Sequence, residues 1–350
     1  MVARPTRLTP PVECVRLYDA DAGLNGVIAI HSTALGPGAG GCRFWSYAGM
    51  DDALADALRL AEGMSYKNAL AGLPFGGAKA VIQRPEGEFD RARLFRAFGR
   101  AVEQLGGLYV TAEDVGTSVE DMREVASESR HVAGLPASEG LAGGDPSPWT
   151  AQGVFESMRA AARFVLDSDL AGLTVAVQGT GNVGADLCRR LADAGCRLVI
   201  ADPNPGRRDR LAAILGATVV GVEEIASVKA EIFAPCALGG ALTSEVVRNL
   251  KAKLVCGAAN NQLAAPEVAD LLMNRGIAYA PDYVVNAGGI ISVSAEYLGE
   301  SQSNVTDRVA EIAPRVAMLL DRAARERRSP AFVADEMAEE IIAGAQRVAA

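Results

Sequence analysis

The sequence has little histidine and no closely spaced cysteine pair. Only two of its 350 residues are histidines, His31 and His131, and none of its six cysteines belongs to a CxxC pair. A zinc centre with the usual ligand spacing and a Ser-His-Asp triad therefore lack the residues they need. Because most of the cysteines stand in apolar segments such as LVCGAA, we expect reduced thiols in the interior of a cytoplasmic protein without a metal.

Positive charge and long apolar runs are also scarce. Lysine and arginine total 34 against 43 aspartates and glutamates, which gives a formal net charge of −9. Such a chain repels nucleic-acid phosphates and anionic membranes, so we expect neither as a partner. The longest stretch without Asp, Glu, Lys, Arg or His, residues 170–185, is interrupted by glycines and polar residues. It is unsuited to crossing a membrane, and residues 1–15 have no apolar core of signal-peptide length.

The second half of the chain alternates short apolar runs with helical segments. The strand-like runs stand at 173–179, 196–202, 217–220, 231–236, 253–259 and 277–281. This alternation predicts βαβ units and a six-stranded parallel sheet buried between helices.

The first half has a mixed pattern. Residues 13–33 predict two strands around a glycine-containing turn, followed by a helix over MDDALADALRLAEGMSYKNAL. A strand at GAKAVIQ, a helix through LFRAFGRAVEQLG and a strand at LYVTAED complete an α/β pattern. The Gly-, Pro- and Ser-rich segment 131–150 indicates a domain boundary.

These patterns predict an α/β protein of two domains. We expect an N-terminal α/β domain over 1–145, which binds the substrate and carries the oligomer contacts. A Rossmann-type domain with a doubly wound parallel sheet follows over 146–320, with a ligand cleft between the two. The helical tail, 321–350, is expected to return toward the first domain.

A glycine motif follows the first predicted strand of the second half and begins the next helix. The residues are GTGNVG at 179–184. The first glycine permits a tight turn, the second lets a pyrophosphate approach the backbone, and the third allows close packing of helix and sheet. The helix N-terminus offers free N–H groups to phosphate. The predicted cofactor contacts from this motif are Gly179, Thr180, Gly181, Asn182, Val183 and Gly184.

An acidic residue follows the next predicted strand. Asp202 would accept hydrogen bonds from the adenosine 2′-hydroxyl and would repel a 2′-phosphate, so the sequence predicts NAD rather than NADP. Arg207 and Arg208 could soften that preference, or could simply form a solvated loop face.

Two lysines and an aspartate stand out in the first half. Lys67 lies near the end of a predicted helix, and Lys79 stands alone among Gly, Ala, Val and Ile. Burial of Lys79 would lower its pKa toward the range useful for proton transfer, unless its ammonium reaches water along a packed stem. Asp114 precedes a glycine turn, where it could either act chemically or cap the helix that begins at SVEDMREVA.

Several segments together resemble the glutamate/leucine/phenylalanine/valine dehydrogenase family. In chain order they are LGPGAGGCRFW (35–45), YKNALAGLPFGGAKAVI (66–82), TAEDVGTS (111–118), SPWTAQGV (147–154), VQGTGNVG (177–184), CGAANNQL (256–263) and PDYVVNAGGIISV (281–293). The resemblance implies reversible oxidative deamination of an L-amino acid to a 2-oxo acid and ammonia, with hydride passing to NAD. It also implies a homo-oligomer, either a tetramer or an octamer.

The resemblance assigns roles to residues of the first half. Lys67 would bind the substrate α-carboxylate, together with the backbone around Gly40 and Gly41. Lys79 would activate water and polarise the reacting carbon, and Asp114 would carry a proton to and from the substrate amino group.

The resemblance also assigns roles in the second half. Thr150 and Asn260 would hold the nicotinamide side of the cofactor. Asn261, a candidate substrate contact, and Asn286, a candidate cofactor contact, would lie near the cleft between the domains.

The substrate side chain is predicted to be apolar. Ala39 stands where glutamate-specific members have a lysine, and Val293 where they have a serine, so a γ-carboxylate would lack a partner. Leucine-specific members commonly have leucine in place of Ala39, and the smaller alanine leaves room for a benzyl group. We therefore expect L-phenylalanine, converted to phenylpyruvate, with leucine or valine as the alternative. Ala112 differs from the glycine of some phenylalanine-specific members, and Ile290 and Val293 either line the pocket or simply pack their helix.

Two other functions compete with this prediction. A 2-hydroxy-acid dehydrogenase needs a histidine acid/base with an arginine for the carboxylate, which neither histidine supplies convincingly. A non-catalytic NAD sensor would be expected to have lost one of Lys67, Lys79 or Asp114, and all three are present.

Overall fold

The computed structural model describes residues 13–136 and 141–349, which fall into two compact units. Of these residues, unit 1 contains 13–136, 141–144, 296–299 and 338–349; unit 2 contains Asp145–Ala295 and Glu300–Met337. The tail predicted as one segment over 321–350 is thus divided between the units. Residues 1–12, on which the expectation about a leader partly rests, and residues 137–140 of the boundary segment lie outside the described residues.

Unit 1 is built on a mixed sheet with helices against it. Its elements are β1 (Glu13–Asp19), β2 (Leu24–Ser32), β3 (Gly38–Ala39), β4 (Cys42–Trp45), α1 (Met50–Leu70), β5 (Gly76–Gln83), α2 (Arg91–Gln104), β6 (Tyr109–Val110) and α3 (Val119–Ala126). The main strand order is β1-β2-β5-β3-β6, and β4 pairs with β5. Strands β1, β2 and β5 pair antiparallel, whereas β3 and β4 run parallel to β5.

The apolar spacing of α1 explains its position. Ala53, Ala57 and Ala61 recur every four residues and form one cluster with Val27 of β2 and Val81 of β5. Alanines let the helix approach the sheet closely, and both faces of β5 are consequently covered, one by α1 and the other by the larger cluster beneath α2. The side chains of β5 from Gly76 to Ile82 are therefore buried inside unit 1.

Unit 2 is built on a parallel sheet. Its elements are α4 (Ser147–Leu166), β7 (Thr174–Gln178), α5 (Asn182–Asp193), β8 (Arg197–Ala201), α6 (Pro205–Leu215), β9 (Thr218–Val219), a 3-10 turn (Ile225–Ser227), β10 (Ile232–Pro235), α7 (Ser244–Asn249), β11 (Leu254–Val255), α8 (Glu267–Asn274), β12 (Ala278–Tyr279), α9 (Asp282–Val285), α10 (Gly288–Tyr297), α11 (Gln302–Ala310), α12 (Ile312–Glu326) and α13 (Pro330–Ala349). Helices α10 and α13 continue into unit 1.

The strand order of unit 2 identifies its architecture. The six strands run β12-β11-β10-β7-β8-β9, all parallel, which is the 3-2-1-4-5-6 order of a doubly wound dinucleotide-binding sheet. The order reverses between β7 and β10, so a ligand crevice is expected at the carboxyl ends of these two strands. The predicted fold class and the predicted six strands are confirmed. Across the described ranges, no helix combines the length and apolarity needed to cross a membrane.

Candidate active site

The site in unit 1 is centred on an ion pair between Lys79 and Asp114. Lys79 lies on β5 and is 4% exposed, and its Nζ is 3.0 Å from Oδ2 of Asp114. The loop after β6 holds Asp114, whose backbone N–H donates to Oγ1 of Thr117 at 2.8 Å. The Lys79 ammonium therefore ends in an ion pair inside the unit and does not reach bulk water along its stem.

The same loop excludes the capping role considered for Asp114. Helix α3 begins at Val119, and Ser118 is its N-cap, joined to Asp121 in a reciprocal capping box. Asp114 stands four residues before that cap, so its carboxylate is available for another role.

Burial and charge act together on the two groups. Burial lowers the pKa of Lys79 below its ordinary value, and this outweighs the opposing effect of the Asp114 carboxylate. Burial alone would raise the pKa of Asp114, but Lys79 and the guanidinium of Arg43 lower it below its ordinary value. Near neutral pH the carboxylate is therefore ionised, and the amine is shifted toward the range in which it can exchange a proton.

Two glycines bring the backbone against this pair. A Cβ at Gly40 would collide with the Ala78 carbonyl, and a Cβ at Gly41 would collide with the Glu113 carbonyl and lie 3.0 Å from Cβ of Asp114. Neighbouring backbone therefore requires glycine at both positions. Tyr109 fixes this segment because its hydroxyl donates to the Gly40 carbonyl at 2.7 Å.

Ala39 and Ala112 lie beside the same segment. Ala39 ends β3 with 6% of its surface exposed. Ala112 is half-buried, and its carbonyl accepts a hydrogen bond from the Cys42 N–H at 2.8 Å. Unit 1 thus brings together the predicted residues Lys79, Asp114, Gly40, Gly41, Ala39 and Ala112.

Lys67 lies half-buried in the last turn of α1. The next residue, Asn68, is fully buried, and its amide donates to the carbonyls of Gly76 at 2.6 Å and Ala39 at 3.3 Å. Asn68 therefore ties the end of the helix that carries Lys67 to the strands β3 and β5. Sequence reasoning missed this residue, although a polar side chain on the apolar face of α1 was a usable signal.

Arg43 was also missed. It lies on β4, and its Nε donates to Oδ2 of Asp114 at 3.0 Å, the oxygen that Lys79 contacts. A lone arginine in the otherwise apolar strand CRFW was the signal in the sequence.

The glycine motif of unit 2 joins β7 to α5. Gly179 has φ +98°, a conformation that favours glycine, and a Cβ at Gly184 would collide with the Gly179 carbonyl. Gly181 differs from both, because a Cβ there would meet no protein atom within 4 Å. The fold itself requires the first and third glycines, whereas the open space at Gly181 suits a group that approaches the backbone from outside.

The N-terminus of α5 fits the pyrophosphate of a dinucleotide. Gly181 is its N-cap, and no side chain caps the first turn, so the first N–H groups of this 12-residue helix are available to an anion. Asn182 is exposed and Val183 half-buried in that turn, while Thr180 is buried.

Asp202 has a structural role that the sequence did not indicate. It follows β8 with 3% of its surface exposed, and Oδ2 accepts hydrogen bonds from the N–H and the hydroxyl of Thr180 at 2.7 and 3.0 Å. Its Oδ1 accepts from the Asn204 N–H at 2.8 Å and from Arg207 at 3.3 Å. Burial would raise the pKa of Asp202, but these donors lower it. The carboxylate therefore ties the glycine loop to the start of α6, and its contact with the ribose stays a prediction.

Arg207 and Arg208 belong to helix α6, not to a loop. Arg207 lies over Asp202, and Arg208 donates to Asp209 at 2.7 Å. A cleft of about 500 Å³ between α5 and α6 begins at Thr180 and Gly181 and includes Arg207 but not Arg208.

Four polar residues of unit 2 carry predicted ligand contacts: Thr150, Asn260 and Asn286 with the cofactor, and Asn261 with the substrate. Asn286 is 3% exposed, and its amide donates to Oδ1 of Asn260 at 2.8 Å. Asn261 has φ +52°, and its N–H donates to Oδ2 of Asp282 at 2.7 Å. Thr150, in the first turn of α4, lies against Gly289, where a Cβ would be 2.7 Å from its hydroxyl oxygen.

Ile290 and Val293 lie half-buried on α10. Their place in a substrate pocket stays a prediction, as do the individual roles assigned to Lys67, Asn261 and the other site residues.

The fold and the site define a class. A doubly wound sheet whose glycine loop is open to a dinucleotide characterises unit 2, and a buried lysine–aspartate pair suited to proton transfer characterises unit 1. This is the construction of an NAD-dependent oxidoreductase.

Comparison with known proteins identifies the family within this class of oxidoreductases. The family model for the Glu/Leu/Phe/Val dehydrogenase dimerisation domain matches residues 12–131, and the Glutamate/Leucine/Phenylalanine/Valine dehydrogenase model matches residues 209–350. The chain belongs to this family of amino-acid dehydrogenases, as its motifs predicted.

Its relatives include enzymes for branched-chain substrates. The chain is 45% identical to a leucine dehydrogenase of Geobacillus stearothermophilus, over 93% of this chain and 88% of the relative. It is 45% identical to a valine dehydrogenase of Streptomyces virginiae, over 95% and 94%. Among solved structures, an L-tryptophan dehydrogenase from Nostoc punctiforme matches with a TM-score of 0.85 and 37% identity, over 96% of each chain.

Proposed function

We propose that this amino-acid dehydrogenase acts on branched-chain L-amino acids, leucine or valine, and produces the 2-oxo acid, ammonia and NADH. The observation that carries the proposal is the 44–46% identity to leucine and valine dehydrogenases over more than nine-tenths of the chain. The L-phenylalanine expected from Ala39 has no comparable support among these relatives.

An apolar substrate also agrees with the residues present. Alanine and valine occupy positions 39 and 293, where a side-chain carboxylate would need a cation and a hydroxyl. A buried carboxylate without a partner costs several kcal/mol, so glutamate would bind poorly.

The reaction follows from the pair in unit 1. Lys67 holds the substrate α-carboxylate, and Asp114 accepts a proton from the substrate ammonium group. After the hydride leaves Cα, the neutral amine of Lys79 takes a proton from the water that attacks the imine carbon. Asp114 returns its proton to the amino nitrogen of the carbinolamine. The C–N bond then breaks as the hydroxyl proton passes to solvent, which gives ammonia and the 2-oxo acid.

The cofactor supplies the acceptor for the hydride. Unit 2 would hold it through the N–H groups at the start of α5 and the amides of Asn260 and Asn286. The open space at Gly181 is the observation that this binding explains.

Two further properties belong to the proposal. The match of residues 12–131 to a dimerisation-domain model supports a homo-oligomer, with a tetramer or an octamer as the expected size. All six cysteines are unpaired thiols, which supports a reducing, cytoplasmic location.

Initial rates of NADH formation test the proposal. L-leucine, L-valine, L-phenylalanine, L-tryptophan and L-glutamate are compared at equal concentration, with NADP as a cofactor control. We expect leucine or valine to give the highest kcat/KM with NAD and glutamate the lowest. A preference for phenylalanine or tryptophan would overturn the branched-chain assignment and favour an aromatic substrate. No turnover with any of the five would overturn the proposed substrate class.

A further inference from the structure

We propose that Arg43 is a positioning residue for this reaction, fixing the carboxylate of Asp114 and placing a second positive charge beside Lys79. The inference rests on the proposed function, because it assigns Arg43 a part in proton transfer by these two groups. Arg43 touches neither substrate nor cofactor in this role; it acts through Asp114.

The contacts on Asp114 are unequal. Nζ of Lys79 and Nε of Arg43 both lie 3.0 Å from Oδ2, and neither of these contacts involves Oδ1. Two cations on one oxygen orient the carboxylate and leave Oδ1 as the oxygen able to accept a proton from the substrate. Removal of Arg43 would leave Lys79 alone to set that orientation.

Arg43 is itself held from helix α1. Its second nitrogen donates to Oδ2 of Asp56 at 2.9 Å, and the Tyr47 hydroxyl donates to that oxygen at 2.7 Å. The other oxygen of Asp56 accepts from Arg59 at 2.6 Å. A planar guanidinium can join two carboxylates in fixed directions, whereas an ammonium on a flexible stem has no such fork.

The charges around Lys79 show why the second cation matters. Burial and Arg43 lower the pKa of Lys79, whereas Asp114 raises it. Burial raises the pKa of Cys42 and of Tyr109, two further titratable groups nearby, so both are neutral in the working range. Arg43 is thus the positive charge that opposes Asp114 and favours the neutral amine.

The effect has a defined sign. Oxidative deamination needs Lys79 without its proton, so kcat/KM rises with pH through the pKa of Lys79. Without the Arg43 cation that pKa rises, while Asp114 stays ionised over the assay range. The rising limb of the profile should therefore move to higher pH.

Three variants separate charge from geometry. We expect Arg43→Met to lower kcat at least tenfold and to shift the rising limb to higher pH, with NADH binding unchanged. Arg43→Lys keeps the positive charge but loses the planar guanidinium that joins Asp114 to Asp56. The rising limb of its pH profile should therefore return toward the wild-type position, while kcat stays reduced. Arg100→Met is the matched control, because Arg100 pairs with Asp19 and Glu128 and not with Asp56 or Asp114, and its profile should equal that of wild type.

The measurement is kcat/KM for L-leucine from pH 6 to 11, with the Kd of NADH and the melting temperature of each variant. An unshifted limb in Arg43→Met, whether kcat is retained or reduced, overturns the proposal. If Arg43→Met does not fold, Arg43→Lys decides the matter. A wild-type kcat in Arg43→Lys overturns the proposal, whereas a reduced kcat with the rising limb of the pH profile unshifted supports it. If the wild-type enzyme turns over none of the amino acids, the proposed function itself is wrong. If it is active but the Arg43 variants keep the wild-type pH profile, only this inference is wrong.

Discussion

The two candidate sites are constructed in opposite ways. The site in unit 1 depends on charged side chains that the fold buries, with Lys79 and Arg43 converging on one oxygen of Asp114. The site in unit 2 depends on backbone N–H groups and on a missing side chain at Gly181. A proton-transfer site needs groups whose pKa can be shifted, whereas a pyrophosphate needs donors that carry no competing side chain.

The strongest test of this contrast is Lys79→Ala. We expect kcat to fall by roughly 10²–10⁴-fold, because the variant removes the proposed general base, while NADH affinity stays within about twofold of wild type. Lys251→Ala, at an exposed position of unit 2, is the control and should retain full activity. Steady-state kinetics and NADH fluorescence titration measure both, and substantial turnover in Lys79→Ala would remove Lys79 from the mechanism.

Two glycine substitutions sharpen the contrast within unit 2. Gly184→Ala places a Cβ against the Gly179 carbonyl, so we expect a loss of about 1–3 kcal/mol in the free energy of unfolding. Gly181→Ala meets no protein atom within 4 Å and should lose less stability than Gly184→Ala, yet weaken NADH binding about tenfold or more, roughly 1.4 kcal/mol.

Urea denaturation should therefore show the larger loss of stability in Gly184→Ala, and NADH titration the larger loss of affinity in Gly181→Ala. Equal losses of stability would show that Gly181 serves the fold, and unchanged NADH affinity in Gly181→Ala would place the pyrophosphate elsewhere.

Asp202→Asn tests the carboxylate that ties the glycine loop to α6. Its pKa is lowered in the folded protein, so its contribution is present above the ordinary value of about 3.9 and is lost as pH falls through the folded-state value. We expect the variant to be less stable by about 1–3 kcal/mol at pH 7, and the difference from wild type to shrink below about pH 4.

Unfolding measured between pH 3 and pH 8 checks this dependence. A difference that stays constant over that range would show that ionisation of Asp202 does not stabilise the loop.

The smallest expected effect concerns substrate choice. Ala39 is buried at the end of β3, close to the segment that carries Gly40 and Gly41. Ala39→Leu adds three carbons, so we expect the ratio of kcat/KM for leucine over valine to fall several-fold, since one methylene typically discriminates by about 1–3 kcal/mol. An unchanged ratio in parallel assays would show that Ala39 does not line the pocket.

Local patterns were sufficient to predict much of the fold. Helix α1 spans Met50–Leu70 as predicted because its apolar residues recur at helical spacing on the face against the sheet. The predicted strand at LYVTAED, in contrast, pairs as a strand only over Tyr109–Val110, because the chain then turns to place Asp114 beside Lys79. The strand propensities of these residues do not predict this turn, because the partner that Asp114 meets there, Lys79, lies about thirty residues before the strand in the sequence.

In the candidate site, too, some features could be predicted from the sequence and others could not. The glycine motif was readable because its residues are consecutive and each glycine has a local geometric reason. Arg43 and Asn68 were not found, because each matters through partners brought together only by the folded sheet. The hydrogen bonds from Thr180 and Asn204 to Asp202 were likewise not predictable from the sequence. An aspartate after a strand looks the same in the sequence whether its hydrogen-bond donors belong to the protein or to a ribose.

The empty space at Gly181 has a consequence for how damaging substitutions are detected. A side chain there would strain nothing in the protein, so the altered chain would accumulate in a cell at normal abundance and escape the proteases that remove unfolded protein. Screens that score expression or solubility would class such a change as harmless. Only selection on growth that requires turnover would reveal it, whereas both kinds of screen would reject a substitution at Gly184.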